Sequence, residues 1–391
     1  MICTVNILKN VYGGDGLGRL GDGRIVFVPG AWAGERAKVE LVEQRKGYVK
    51  ARLVELEEAS SERLAEPGPT VPGMVYARLS PQGEAAAKSS QLEEFLTRAR
   101  LPHPPIKHLA TERTANYRNK VTYHFENGKI GYREEPGHTV VDVSSDPLAL
   151  PEINAALPGI RRNISAMLTQ GAPAVRKAVA AKGKVTIRYS AKSGVKWWLG
   201  EDTRDIMLLE TTCGRTFEVP ANGFYQVNPE AGELLAREVA LEYRLHADRA
   251  PNVLDLYCGV GVLGISCDPP KLTGIESGRL AIDCAKRNAA QIKGATRFFS
   301  EEVGRNLRRI AIGASTCVIV DPPRGGLERG VPEWLGRSRA PVILYVSCDP
   351  ATLVRDLRPM AERGYAVKSV KWLNMFPRTA RFETLVTLVR P

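Results

Sequence analysis

Apolar and polar positions along the chain fall into three successive rhythms. Up to about residue 57, short alternating pieces ("CTVNILKNV", "RIVFVPG", "RAKVELVEQ", "VKARLVEL") are separated by glycine turns such as "GGDGLGRLGDG". That pattern predicts strands that close into a small β-barrel, with several Lys and Arg lining it. The polar stretch "EASSERLAEPGPTVPG" reads as a linker. After it, "SSQLEEFLTRARL" has a serine cap and apolar Leu92, Phe95 and Leu96 at helical spacing, which predicts a helix. Residues 116 to about 210 return to strands ("KVTYHFENGKIGYRE", "HTVVDV", "KVTIRYS", "VKWWLG") around a helical segment near 151 to 169. This is the signature of a second, mixed domain.

From about residue 251 the apolar pieces "NVLDLY", "LTGIE", "TRFFS", "TCVIVD" and "PVILYVS" alternate with helix-like segments such as "GRLAIDCAKRNAAQI" and "DPATLVRDLRPMAERG". Repeated strand and helix alternation predicts an open parallel sheet covered on both faces. Ligands of such sheets lie beyond the carboxyl ends of the strands, so the residues there matter most.

Composition sharpens the picture in three respects. A chain of 391 residues, 43% hydrophobic, can bury the cores of two or three domains. Its net charge of +12, spread along the chain, points to a polyanionic partner, nucleic acid first. Seven cysteines, odd in number and without a CxxC pair, exclude a disulfide framework and a zinc ribbon and fit a reduced cytoplasm. No signal-peptide pattern opens the chain and no apolar run approaches about 18 residues, so no membrane partner is expected.

The strand ends carry the chemistry. "VLDLYCGVGVLGIS" places Asp255, Tyr257, Gly259 and Gly261 after the first strand, and Glu276 ends the second strand 17 residues beyond Gly259. Glycines admit a ligand close to the backbone, and a carboxylate at the next strand end accepts hydrogen bonds from ribose hydroxyls. Gly259, Gly261 and Gly264 also match GxGxxG, which keeps a dinucleotide as a competitor, although no Lys or Arg follows until Lys271. "VIVDPPRGGL" sets Asp321 before two prolines that stiffen a loop at the mouth of the site.

In "YVSCDPATLV", Cys348 follows the fifth strand and precedes a helix N-terminus, a position expected to stabilise a thiolate. Cys267, Cys284 and Cys317 read as small buried hydrophobes. His103, His108, His124, His138 and His246 all precede the motif-rich region, so a Cys–His pair is not expected. Glu383, in "FPRTARFETLVTLVRP", opens a final apolar strand and is the carboxylate best placed to act as a base.

In this order, "FYQVNPE", "LDLYCGVG", "VDPPRGGL", "YVSCDPATLVRDL" and "FPRTARFETL" resemble the S-adenosylmethionine-dependent RNA uracil-5-methyltransferases. The N-terminal barrel looks like that family's TRAM domain, and "NYRNKVTYHF" with "GKIGYRE" is similar to the start of its central domain. The resemblance implies an α/β Rossmann-like methyltransferase domain with an N-terminal β-barrel and a mixed α+β central domain. The expected divisions are 1–58 (barrel, RNA binding), 59–87 (linker), 88–104 (a helix packing on the catalytic domain), 105–215 (central) and 216–391 (catalytic).

It further implies that Cys348 adds to carbon 6 of uracil, so that carbon 5 becomes nucleophilic, and that Glu383 removes the carbon 5 proton. Gln226, Tyr257, Gly259, Glu276 and Asp321 match cofactor-contacting positions, with Glu276 on the ribose. The expected cofactor is S-adenosylmethionine and the expected partner is tRNA or rRNA, presented by base flipping or in a loop to a monomeric, cytoplasmic enzyme.

Four departures stand out. Many members carry four cysteines for an iron–sulfur cluster, whereas "VPGMVYARLSPQGEAAAKSSQLEEF" and "VVDVSSDPL" contain none, so no cluster is expected. Val262 stands where Asn or Thr is common. Arg378 and Arg381 replace histidine or another polar residue, with RNA phosphate or ordinary surface charge as alternative readings. "CDPPK" truncates the helix after the first strand of the sheet. Two rival functions remain open at this level: an exocyclic-amine methyltransferase using "DPPR", which needs no Cys348, and a non-catalytic RNA-binding protein.

Overall fold

The structure is a computed structural model that describes residues 1–133, 139–201, 203, 206–305, 307 and 310–390; His138, one of the five histidines, lies outside them. Strands β1 (Ile2–Asn10), β2 (Gly16–Arg19), β3 (Ile25–Val28), β4 (Arg36–Arg45) and β5 (Tyr48–Glu58) close into a barrel in the order β1-β2-β3-β5-β4. Alternation turns Val5, Ile7, Val26, Val28, Val39 and Val49 inward. Most of the outward cations are not free. Arg36, Lys38, Arg45, Lys50 and Arg52 each lie against a glutamate of β4 or β5. Residues 1–58 hold nine basic and eight acidic side chains, so the basic barrel lining expected from the sequence is electrostatically offset.

Helix α1 (Pro81–Arg98) starts inside the segment assigned to the linker, with Ser80 as its cap accepting the Gly83 amide at 2.9 Å. Ser80 followed by Pro81 is itself a helix-start signal, and "EAAAK" is strongly helix-forming. Leu92 and Leu96 are fully buried, and so are Glu84 and Lys88. Lys88 Nζ donates to Glu84 Oε1 (2.7 Å), Asn374 Oδ1 (2.7 Å), the Arg381 carbonyl (2.9 Å) and the Phe376 carbonyl (3.4 Å). Glu84 also accepts the Arg378 amide at 3.0 Å and Asn374 Nδ2 at 2.8 Å. Burying this ion pair is tolerable because every charge is saturated. The network clamps the 374–381 loop onto α1.

β6 (Lys107–Leu109) leaves this region to join the edge of the catalytic sheet. The central domain follows with β7 (Lys120–Glu126), β8 (Lys129–Arg133), β9 (Val140–Asp142), α2 (Pro151–Thr169), α3 (Pro173–Lys182), β10 (Lys184–Ser190) and β11 (Gly194–Leu199). Its sheet runs β11-β10-β7-β8-β9, and Val121, Tyr123, Val185 and Ile187 pack on Ile153, Leu157, Ile160 and Ile164 of α2. Helix α3 went unanticipated. The hairpin of β12 (Met207–Thr212) and β13 (Arg215–Pro220) spans the expected boundary at 215/216.

The cysteine-free stretches are filled otherwise. Val71 and Met74 join the central core, while buried Asp146 accepts from Tyr123 Oη (3.1 Å), Tyr132 Oη (2.6 Å) and the Leu148 amide (2.8 Å). Apolar side chains and one saturated carboxylate do not fit an iron–sulfur cluster, and no other group of three or more metal-ligating side chains occurs among the described residues.

The catalytic domain comprises α4 (Pro229–Leu245), β14 (Asn252–Leu256), α5 (Val262–Cys267), β15 (Lys271–Glu276), α6 (Arg279–Asn288), β16 (Ala295–Ser300), β17 (Thr316–Val320), α7 (Val331–Arg337), β18 (Val342–Ser347), α8 (Pro350–Ala361), β19 (Ala366–Leu373) and β20 (Glu383–Val389). The sheet order is β16-β15-β14-β17-β18-β20-β19-β6. β14 to β18 are parallel as expected, but β20 runs antiparallel between β18 and β19, because the loop joining β19 to β20 contains no crossover helix. Helices α4, α5 and α6 cover one face, and α1, α7 and α8 the other. No helix among the described residues is long and apolar enough to cross a membrane.

Replacing Lys88 with Met leaves Glu84 buried without its counter-charge and is expected to destabilise the protein by about 3 kcal/mol or more. Guanidinium titration checks this. A change under about 0.5 kcal/mol would show that the clamp is not needed.

Candidate active site

The carboxyl ends of β14 and β17 meet at a cleft. Gln226, Asp255, Tyr257, Gly259 and Asp321 line it. Tyr257, Gly259 and Gly261 all have positive φ (63°, 54° and 90°), which turns the chain sharply off β14. Gly264 serves packing instead: a Cβ there would lie 2.7 Å from Leu272 and 2.8 Å from the Asp255 carboxylate. The third glycine of GxGxxG thus lets α5 approach the sheet, and α5 itself has only six residues, as the "CDPPK" truncation predicts.

Gln226 is fixed from two sides. Asn119 donates its amide to the Val227 carbonyl (2.8 Å) and its Nδ2 to the Gln226 carbonyl (3.4 Å). Asn228 caps α4 through the Ala231 amide (3.2 Å) and donates to the Met375 carbonyl (3.3 Å). The "FYQVN" motif therefore joins the central domain, the cleft and the 374–381 loop. Tyr257 donates its hydroxyl to Glu328. Glu276 is half-buried at the end of β15, and its Oε1 accepts from the Gly278 amide (2.7 Å) and Ser277 Oγ (3.0 Å). It stands beside the cleft and not among the residues that line it.

Asp255 was placed at the strand end by the sequence but not given a role. It is buried, its Oδ2 accepts the Gly264 amide at 2.9 Å, and its Oδ1 has no hydrogen-bond partner. Burial, with Asp321 and Glu276 adding to it, pushes its carboxyl up to about 8. A neutral carboxylic acid at the floor of a cleft was not legible, because the shift comes from desolvation and not from the residue type.

Beyond Asp321 the β18–β20 ladder brings together the two residues singled out for the reaction. Pairing runs from Val342 opposite Val389 to Ser347 opposite Thr384, so its continuation sets Cys348 opposite Glu383. Asp321 follows Val320, whose partner on β18 is Tyr345. Three acids thus meet at adjoining strand ends. Burial and then Asp321 hold the Glu383 carboxyl well above the usual range. Burial lifts Asp321 to about 7.

Cys348 departs from expectation. Burial, Glu383 and Asp321 push its thiol up to about 12, and Arg324 only partly offsets them. The expected stabilisation of a thiolate by the helix N-terminus is overridden by burial and the facing carboxyl groups, and the terminus itself is capped by Asp349, whose Oδ1 accepts the Ala351 and Thr352 amides at 3.0 and 3.3 Å. Cys258, Cys267, Cys284 and Cys317 are buried.

The two arginines are occupied by the fold. Arg378 (φ 68°) donates to the Leu79 carbonyl at 2.5 Å and sits against Glu84, so neither phosphate nor open surface describes it. Arg381 donates to Asp349 Oδ2 and to Tyr12 Oη, both at 2.6 Å.

A mainly parallel sheet with a cleft at the carboxyl ends of its strands, in a chain that also carries a small closed barrel, defines an α/β fold of the kind that binds a nucleotide-like ligand. The sequence profile of the TRAM domain matches residues 2–54 and that of tRNA (uracil-5-)-methyltransferase matches residues 190–391. The chain belongs to the tRNA (uracil-5-)-methyltransferase family. It is 26% identical to a Thermotoga maritima protein named an uncharacterized RNA methyltransferase, over 100% of this chain and 99% of that one. It is also 26% identical to the Halomonas elongata 23S rRNA (uracil(1939)-C(5))-methyltransferase RlmD, over 97% and 87% of the two chains. The crystal structure of Pyrococcus abyssi tRNA (uracil-54, C5)-methyltransferase with S-adenosyl-L-homocysteine shares the fold, with TM-score 0.75, 21% identity and coverage of 98% and 100%.

Membership of this family carries the expectation of methyl transfer to carbon 5 of uracil with S-adenosylmethionine as cofactor. The cleft fits that cofactor. A Cβ on Gly259 would meet only open space, and the unpartnered Asp255 oxygen suits a cationic or hydrogen-donating group.

Asp255 binds its proton more tightly folded than unfolded, so its contribution to stability is complete below about pH 4 and is lost as pH rises through about 8. The melting temperature of the cofactor-free protein is expected to fall between pH 5 and 9 relative to Asp255→Asn, which keeps an acceptor for Gly264. Calorimetry of both across that range checks this, and parallel curves would contradict it.

Proposed function

We propose that this protein methylates carbon 5 of a uridine in tRNA or rRNA through a covalent adduct between Cys348 and carbon 6 of uracil. The observation that supports this reading is the register of β18 and β20, which continues to set Cys348 opposite Glu383, with Asp321 of the cleft acting on both. Gln226, Tyr257, Gly259, Glu276 and Asp321 hold the cofactor, with the free side of Glu276 on the ribose. When bound, S-adenosylmethionine supplies an electrophilic methyl group on a positively charged sulfur.

At rest both Cys348 and Glu383 are protonated. A positive charge in the cleft favours the ionised forms of Cys348, Asp321 and Glu383 alike, so the acids become reactive only in the loaded enzyme. The Cys348 proton passes to Asp321, which titrates near neutrality, as the sulfur–carbon 6 bond forms and the ring's electrons move to oxygen 4. Carbon 5 then takes the methyl group. Asp321 and Glu383 each give a proton to solvent, and the ionised Glu383 then accepts the proton from carbon 5. The carbon 5–carbon 6 double bond re-forms, and the Cys348 thiolate leaves and is reprotonated. One proton is released overall. An exocyclic-amine methyltransferase has no use for a thiol opposite a carboxyl group.

The uridine has to be extruded from its stack to reach this cleft. The cations that guide its RNA lie on the central domain, where residues 105–215 hold seventeen basic and eleven acidic side chains. On the sheet face turned away from α2, Lys120, Arg188 and Lys196 stand opposite one another across β7, β10 and β11, and His124 stands opposite Lys184. Arg188 is paired with Glu210 at 3.0 Å, whereas Lys184 and Lys196 are exposed and without a carboxylate partner among the described residues.

RNA carrying 5-fluorouridine at the target is expected to give a covalent adduct by intact mass with the wild type and none with Cys348→Ala. Glu383→Gln should slow turnover about 10²- to 10⁴-fold while the adduct with ordinary uridine accumulates. Absence of any wild-type adduct would overturn the mechanism. Nucleoside mapping of tRNA and rRNA from cells with and without the protein identifies the target.

Reversing Lys184 and Lys196 to Glu should weaken RNA binding and reduce the slope of log affinity against log salt by roughly 1 to 2. An unchanged slope would place the phosphate contacts elsewhere.

A further inference from the structure

The barrel reaches into the catalytic centre. Tyr12, in the turn between β1 and β2, donates its hydroxyl to Asp349 Oδ2 at 3.2 Å and accepts from Arg381 Nη1 at 2.6 Å. The same Arg381 nitrogen donates to Asp349 Oδ2 at 2.6 Å, and the guanidinium lies 5.4 Å from the Tyr12 ring centre. Asp349 is the residue after Cys348. The Tyr12 ring also meets Phe382, the residue before Glu383, edge-on at 6.1 Å, and Phe95 of α1 at 5.8 Å. One side chain of the barrel therefore touches the neighbour of the nucleophile and the neighbour of the base.

The barrel turn is itself held in place. Gln91 of α1 donates to the Val11 carbonyl at 3.1 Å, and Lys9 pairs with Glu94. Tyr12 is half-buried here, and burial together with Asp349 keeps its hydroxyl protonated, hence a donor. Asp349 spends one oxygen on capping α8 and the other on Tyr12 and Arg381, so its orientation is over-determined. The same carboxylate fixes the start of α8, which Cys348 immediately precedes. The near-neutral charge of the barrel argues in the same direction, because its cations are matched by its own glutamates and leave little net attraction for phosphate.

We propose that Tyr12 is a positioning residue: through Asp349 and Arg381, the barrel fixes the nucleophile loop against the loop that carries the base, and its part in the reaction is in the chemical step more than in RNA affinity. This rests on the reading of Cys348 and Glu383 given above. Tyr12→Phe keeps the ring and its contacts with Phe95 and Phe382 and removes only the hydroxyl. It is expected to lower kcat, and the rate of adduct formation with 5-fluorouridine RNA, by about tenfold. RNA affinity, KM for RNA and melting temperature should stay within about twofold or a few degrees of wild type. Arg381→Ala should lose at least as much, and Arg381→Lys should recover part of it. An unchanged adduct rate in Tyr12→Phe, or a rise in KM with kcat untouched, would overturn the proposal and return the barrel to RNA binding. Failure of the wild type to form any adduct would instead sink the mechanism on which it rests.

Discussion

The feature on which the rest depends is the antiparallel insertion of β20 beside β18. That pairing sets a half-buried thiol opposite a buried carboxyl group, with a second carboxyl at the end of the next parallel strand. Three acids cannot all ionise under those conditions, so the resting site stores protons. A cysteine in this state is shielded from adventitious oxidation and alkylation, which attack the thiolate. Reactivity then becomes a consequence of what enters the cleft and not a standing property of the residue.

Much of the surrounding structure can be read as support for that arrangement. The Glu84–Lys88 pair is buried at some cost, and what it secures is the loop that leads into Glu383. Asn228 reaches the other side of the same loop through the Met375 carbonyl, and Arg381 ties its far end to Asp349. The loop has no regular structure of its own. Its conformation is imposed by α1, by the start of α4 and by the barrel, three elements far apart in the chain. Precision of this kind is needed where a thiol and a base must address adjacent carbons of one small ring.

The sheet strands were legible because each is a short apolar run ending in a glycine, proline or acidic residue, and the strand-end residues Tyr257, Glu276, Asp321 and Cys348 follow from that alone. The reversal of β20 was not, since an apolar run buried on both faces carries no mark of direction. Helix α1 was begun too late because the Pro and Gly of "SPQGEAAAK" resemble linker residues, although Pro belongs in a helix's first turn. The roles of Arg378 and Arg381 and the proton held by Asp255 depend on partners 32 to 369 positions away, or on burial, neither of which a local pattern records. The thiol shift reversed for the same reason: the helix N-terminus is local, and the opposing carboxyl groups are not.

The central claim is that Cys348 is a suppressed thiol whose proton is held by its acidic neighbours and its burial. The direct measurement is the pH dependence of its alkylation rate by iodoacetamide in the cofactor-free protein, followed peptide by peptide with mass spectrometry, in wild type and in Glu383→Gln. The inflection should lie well above the value of about 8.5 for a free thiol and move down when the carboxyl group opposite is removed. An inflection at or below that value in the wild type, unmoved by Glu383→Gln, would contradict the account.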